Sequence, residues 1–217
     1  MTADLFHVTQ WVSVEDIFED GLRQHATLRA LQRAEAEAPD DDEPMMMSHP
    51  DDVADRMAEE MIQEARYVAD TPDEYPTHKD GVFFWPTESK ANRVADDGYG
   101  SDPVVAVDGS KLPDRCTCLI APVDPLNRLW KATYQHATDR YHLSPDEQED
   151  YVEEMAEWWN EVEVYRGQNR RGHEIWCGCD VPPHAIEWIH DPNRDRRLYE
   201  PPEEGQSRLL EFEVDND

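Results

Sequence analysis

No unbroken apolar run in this chain is longer than four residues; VFFW (82–85), VVAV (104–107) and CLIA (118–121) are the longest. A membrane-spanning helix needs about 20 consecutive apolar residues, so the chain is expected to lack one. Four apolar residues suit a buried strand of a small sheet, and the chain carries several such runs between amphipathic segments of helical period. A single α+β domain is expected. At 217 residues the chain is long enough for one such domain with a real core, or for one domain with an insertion.

Residues 4–9 read as a strand. The helix VEDIFED follows, with Ser13 as its N-cap, Ser13-x-x-Asp16 as a variant capping box, and Gly21 at the position after its end. From Gln24 to Asp80 the character changes. HATLRALQRAEAEA and DDVADRMAEEMIQEARYVAD are helical, the second with Val53, Met57, Met61, Ala65 and Val68 on one stripe, and PDDDEPMMMSHP between them is turn material. This stretch is read as an acidic helical insertion, 24–80, laid over one edge of the domain as a possible lid. Strands are expected at 81–85, 104–108 and 116–122, with a helix, ESKANRVADDG, between the first two. Residues 144–161 carry the clearest helix: Ser144 is N-cap, Pro145 stands at N1 and Glu147 completes a capping box. Its apolar face is Tyr151, Met155, Trp158, Trp159 and Val162. EVEVYRG and HEIWCGCDV read as a closing hairpin, and residues 200–217 as a polar tail with one short apolar segment.

Charge narrows the function. Fifty acidic residues face 20 basic ones, a net charge of −30, and only Lys79, Lys90, Lys111 and Lys131 are lysine. Such an excess repels itself in dilute salt, but the Debye length shrinks to about 3 Å at 1 M salt. The composition therefore suggests a salt-loving source rather than an acidic function. It argues against a broad basic surface for gripping nucleic acid, without excluding recognition of one base or one chain end. The start MTADLFHV lacks the pattern of a signal peptide, so a cytoplasmic protein is expected.

Four cysteines stand in two C-x-C pairs, Cys116/Cys118 and Cys177/Cys179. A spacing of two puts each pair on one face of a strand. Small buried thiols in a reducing cytoplasm are the plainest reading; a four-thiolate zinc site and disulfides are the alternatives. No zinc spacing is matched, His173, His184 and Cys179 included, and no metal is expected.

Three segments in order carry chemistry. The first is HVTQWVSVEDIFEDGLR (7–23), a strand with His7 and Thr9, then a helix running into Gly21-Leu22. The second is GVFFWPTESKANRVA (81–95). The third is HEIWCGCDVPPHAI (173–186), a glutamate opening a strand that runs on to V-P-x-x-I. In this order they resemble the ADP-ribosyltransferase superfamily, in its histidine–tyrosine–glutamate branch, which includes the poly(ADP-ribose) polymerases, the rifampicin-modifying transferases and the DNA-ADP-ribosylating toxins. The resemblance covers about 5–23, 81–122 and 172–189. It leaves out the acidic insertion and the helical section 126–165.

The resemblance implies two small split antiparallel sheets around a cleft, a single domain over 1–217, and NAD bound bent as substrate. His7 and Thr9 would hold the adenosine ribose hydroxyls, two hydrogen-bonding side chains brought to one ribose by their spacing on an extended segment. Phe83 would stack on nicotinamide, with Phe84 or Trp85 a poorer match. Glu174 would bond the nicotinamide-ribose 2′-hydroxyl and stabilise the positive charge that develops as nicotinamide leaves. The family's tyrosine is phenylalanine here, which keeps the ring face and loses a hydroxyl. Glu161 and Glu163 compete for the glutamate role as an E-x-E. The implied activity is transfer of ADP-ribose from NAD to an acceptor that is a protein, a nucleic acid or a small molecule. An NAD glycohydrolase, a degraded module that binds NAD or ADP-ribose, and an RNA 2′-phosphotransferase relying on cleft arginines are the alternatives. Nothing in the sequence sets the oligomeric state.

Overall fold

The computed structural model describes residues 4–9, 14–24, 50–78, 81–97, 102–191 and 196–199. Expectations that fall on Ser13, on the first half of the 24–80 segment and on the tail 200–217 lie outside them. The class is α+β, with two antiparallel four-stranded sheets. Sheet one is ordered β1 (Asp4–Val8), β3 (Val104–Asp108), β7 (Ile186–Asp191), β8 (Arg196–Tyr199). Sheet two is ordered β2 (Val82–Phe84), β6 (His173–Cys177), β4 (Cys118–Pro122), β5 (Glu163–Val164).

The sheets face each other. Leu5, Val105, Val107, Ile186 and Ile189 of sheet one meet Val82, Phe84, Ile120, Ile175 and Cys177 of sheet two in one buried cluster. Strand alternation sends the neighbouring residues outward. Phe6, Val104 and Ala106 therefore meet Ala91 and Ala95 of α3 (Glu88–Asp97) on the outer face of sheet one. Leu119, Ala121 and Trp176 meet three helices on the outer face of sheet two: α2 (Pro50–Val68), α4 (Asp124–Ala137) and α5 (Pro145–Glu161). β3 is buried along its whole length because both its faces are covered, which is why VVAV reads as an unbroken run. At one edge the residue after β2 bridges to β1 in the pair Phe6–Trp85, whose two backbone bonds measure 3.2 and 2.7 Å.

The capping box of α5 is present as read, with Ser144 and Glu147 bonding reciprocally. At the end of α1 (Val14–Asp20), Gly21 takes φ +80° and its N–H closes on Ile17 O at 3.0 Å. Only glycine fits there, since a Cβ would stand 1.9 Å from the Val181 oxygen.

Four expectations are corrected. The 163–164 and 173–177 strands do not form a hairpin with each other. β4 lies between them, pairing Ile120 with Glu163 on one side and Ala121 with Glu174 on the other. The helix at 50–68 is not an edge lid. It packs into the core through Ala54, Ala58, Met61, Ile62 and Ala65, which keeps Met61 and Ala65 of the expected stripe but buries Ala54 and Ala58 rather than Val53 and Met57, and Val68 is 62% exposed. A small-residue stripe admits close helix packing, which a search for large apolar residues overlooks. Phe84 does not share a face with Phe83: it is buried between the sheets at 1% exposure, on the opposite strand face. Nor are the cysteines free thiols. They form two disulfides, Cys116–Cys179 and Cys118–Cys177. Cys118 and Cys177 are register partners on β4 and β6, so the bonds run between the two C-x-C pairs and never within one.

Candidate functional site

Three adjacent strands, β6, β2 and β1, carry Glu174, Phe83 and His7. Phe83 pairs in register with Trp176, two residues on from Glu174, so the side chains of Phe83, Trp176 and Glu174 stand on the helix-covered face of sheet two. His7 reaches across the split between β1 and β2, and its Nδ1 lies 2.7 Å from the Phe83 carbonyl oxygen. A carbonyl can only accept, so Nδ1 carries the proton. The ring also meets Phe84 edge-on at 5.9 Å. Thr9 lies two residues along, its N–H bonded to Pro103 O at 3.0 Å.

A residue that sequence reasoning missed sits at the centre. His78 is 6% exposed. It donates from Nε2 to Glu174 Oε1 at 2.8 Å, and its Nδ1 lies 3.8 Å from Glu59 Oε1, a charge contact too long for a hydrogen bond. Three rings enclose the imidazole edge to face: Phe83 at 4.8 Å, Trp176 at 5.3 Å and Trp158 at 5.7 Å. Burial alone would push the imidazole pKa down. The bond to Glu174 and the charges of Glu174 and Glu59 outweigh it and raise the pKa from 6.5 to about 9. The ring is thus a buried imidazolium between two carboxylates.

The elements around it explain how His78 is held. Arg66, near the end of α2, turns its guanidinium back to the carbonyls of Pro72 (3.1 Å) and Tyr75 (2.7 Å) and lies over the Trp159 ring. That bond set folds 71–76 down onto the sheet. Trp176 Nε1 donates to Pro76 O at 3.3 Å, and Gly178 makes room for Pro76, whose ring carbon a Cβ would meet at 2.5 Å. No motif flags His78. Its one sequence signal is position, a histidine four residues before the first residue of an aromatic strand.

The competing acids are elsewhere. Glu163 forms an exposed two-bond pair with Arg170, and Glu161 is exposed at the end of α5. Trp158 and Trp159 are core residues, donating to Pro122 O at 2.7 Å and Ile62 O at 3.0 Å. Arg23 pairs with Asp20. The sulfurs of Cys116, Cys118 and Cys177 lie within 4.8 Å of one another, the one such metal-compatible group among the described residues, but all three are in disulfides here. Among the described residues no helix is long and apolar enough to cross a membrane.

A carboxylate oriented by a buried cation beside a partly exposed phenyl ring can do two things. It can stabilise a positive charge developing next to it, and it can accept a hydroxyl proton. In this conformation His78 and its aromatic neighbours cover it. No protein-family model matches the chain, and no curated protein or solved structure matches it either.

Proposed function

We propose that the chain is an NAD-dependent ADP-ribosyltransferase whose site is closed by His78 in the conformation described here. The observation that carries this reading is the placement of Glu174, Phe83 and His7 on neighbouring strands, Glu174 and Phe83 on one face and His7 bonded to the Phe83 backbone. In the reaction, the bond between nicotinamide and its ribose breaks with the electron pair leaving on nicotinamide. The acceptor's nucleophilic atom bonds to the same ribose carbon and loses its proton. Glu174 bonds the ribose 2′-hydroxyl and offsets the charge on the ring. His7 positions the adenosine end, with Thr9 beside it, and Phe83 stacks on nicotinamide once the imidazole leaves that place.

A second reading is favoured by one observation. The imidazolium fills the space between Phe83 and Glu174 and is held there by two carboxylates and three rings. If that plug never opens, the same fold senses NAD or ADP-ribose without turnover, or serves neither.

Nicotinamide release from NAD in multimolar salt separates them, comparing the wild type with Glu174→Gln and His78→Ala. Release by the wild type that is lost in Glu174→Gln and maintained or raised in His78→Ala supports the transferase. NAD binding without release in any of the three supports the sensor. Neither binding nor release removes both readings.

A further inference from the structure

A cavity of about 370 Å³ opens where β2 runs into α3 and β6 begins. Its walls include Lys90, Arg93, Arg170, Arg171 and His173, the residue preceding Glu174, and none of its ten lining residues is acidic. At the chain's own frequency of acidic residues, 50 in 217, ten residues would include about two. Instead a fifth of all the basic side chains, four of 20, meet on one-twentieth of the chain. At the first turn of α3, where the helix dipole favours negative charge, Thr87 Oγ1 accepts the Lys90 N–H at 3.2 Å and Ser89 lines the cavity, while Glu88 of the same turn stands outside the lining. Arg170 shares its charge with Glu163 from outside the lining, and Lys90 lies over the Trp85 ring at 4.8 Å, so these two cations are held in place, while Arg93 and Arg171 are exposed. On a surface of net charge −30 this is a local reversal of sign.

We propose that this cavity is a phosphate site, and that it holds a terminal phosphate of a nucleotide acceptor at the start of the strand that carries Glu174, whose own side chain stands on the other face of that strand from His173. The word acceptor rests on the transferase reading; the phosphate site does not. Guanidinium forks and a helix N-terminus match phosphate oxygens in geometry and charge. The volume suits one nucleotide, and the charge of the rest of the molecule repels a long polyanion, so a mononucleotide or a chain end is the occupant.

The test is binding of 5′-phosphorylated dithymidine and of its unphosphorylated counterpart, by calorimetry at 0.2 M and at 2 M salt. Competition by inorganic phosphate and by NAD is measured in parallel, as is nicotinamide release with water as acceptor. Arg171→Gln and Lys90→Gln are the variants, both on the surface of the cavity and outside the core, with circular dichroism as the folding check. The expected result is that the terminal phosphate tightens wild-type binding about tenfold or more, that each variant loses most of that gain, and that the gain shrinks in the higher salt. Equal binding of the two dinucleotides, binding of neither, or variants that bind like the wild type would overturn the proposal. So would inorganic phosphate competing as well as the phosphorylated dinucleotide. Displacement by NAD, with the variants raising the KM for NAD, would assign the cations to NAD itself and equally overturn it. Loss of dinucleotide binding with nicotinamide release intact sinks this proposal alone. Binding without release keeps the phosphate site and sinks the transferase reading alone.

Discussion

A buried imidazolium is costly unless its charge is matched, and His78 is matched twice, by Glu174 at 2.8 Å and by Glu59 at 3.8 Å. Because its pKa is higher in the folded protein (about 9) than in the unfolded chain (6.5), folding is favoured by proton uptake. That contribution is complete below pH 6.5 and is lost as pH rises towards 9. Its full size is about 3 kcal/mol. We expect the denaturation midpoint of the wild type to fall across this window. His78→Gln should be less stable at pH 6 and nearly flat between pH 6.5 and 9. Equal pH dependence in the two proteins would mean that His78 is neutral in the fold. The same residue shows where sequence reading stopped. Glu174 could be picked out because a glutamate opening a strand before V-P-x-x-I is a local pattern. His78 and Glu59 could not, since their partner is 96 residues away in one case and a helix turn on another element in the other.

At the scale of elements, the junction of α1 with the 181–185 segment depends on one residue. Gly21 combines φ +80° with a position where a Cβ would lie 1.9 Å from a carbonyl oxygen, and the Leu22–Val181 bridge follows directly. Gly21→Ala should cost at least about 2 kcal/mol, from the left-handed backbone and the clash together, read as a loss in urea midpoint. The Gly21 signal was legible because a helix end is a local event. The strand order was not. EVEVY and HEIWC both look like neighbours in sequence, yet β4 intervenes, because Leu119 and Ala121 have a helix layer to cover them and β5 does not replace it. The two disulfides are also an element-level feature. Each closes a loop of about sixty residues (separations of 63 and 59), but once one is made the other closes only a few residues more. Cys118→Ser with Cys177→Ser should therefore cost little, whereas replacing all four cysteines should cost about 4 kcal/mol. Intact-mass measurement without reductant should show a chain lighter by the hydrogens of two disulfides. A mass of four free thiols would instead mean that neither disulfide forms in the protein as isolated.

For the molecule as a whole, net charge dominates. With −30 spread over 217 residues, self-repulsion opposes compaction, and it weakens as the Debye length shortens from about 10 Å at 0.1 M to about 3 Å at 1 M salt. The melting temperature should rise steeply over that range and level off beyond it, as differential scanning fluorimetry would record. A flat profile would mean that the acidic surface is set by something other than salt.

The sequence by itself determined what is local or summed over the chain. Its short apolar runs allowed only small strands, its helix caps marked α1 and α5, and its charge set the response to salt. It also brought His7, Phe83 and Glu174 into one argument, because their order along the chain survives without contact information. Tertiary structure alone decided which residues touch: the layering of two sheets between helices, the burial of Phe84, the cross-pairing of the cysteines, the imidazolium over Glu174, and the meeting of Lys90 and Arg93 with Arg170 and Arg171 at one cavity. The physical reason is separation. Caps, periods and composition act within a few residues or on the chain total, whereas these contacts join segments tens of residues apart, whose approach is set only when the apolar faces of the whole chain are buried together.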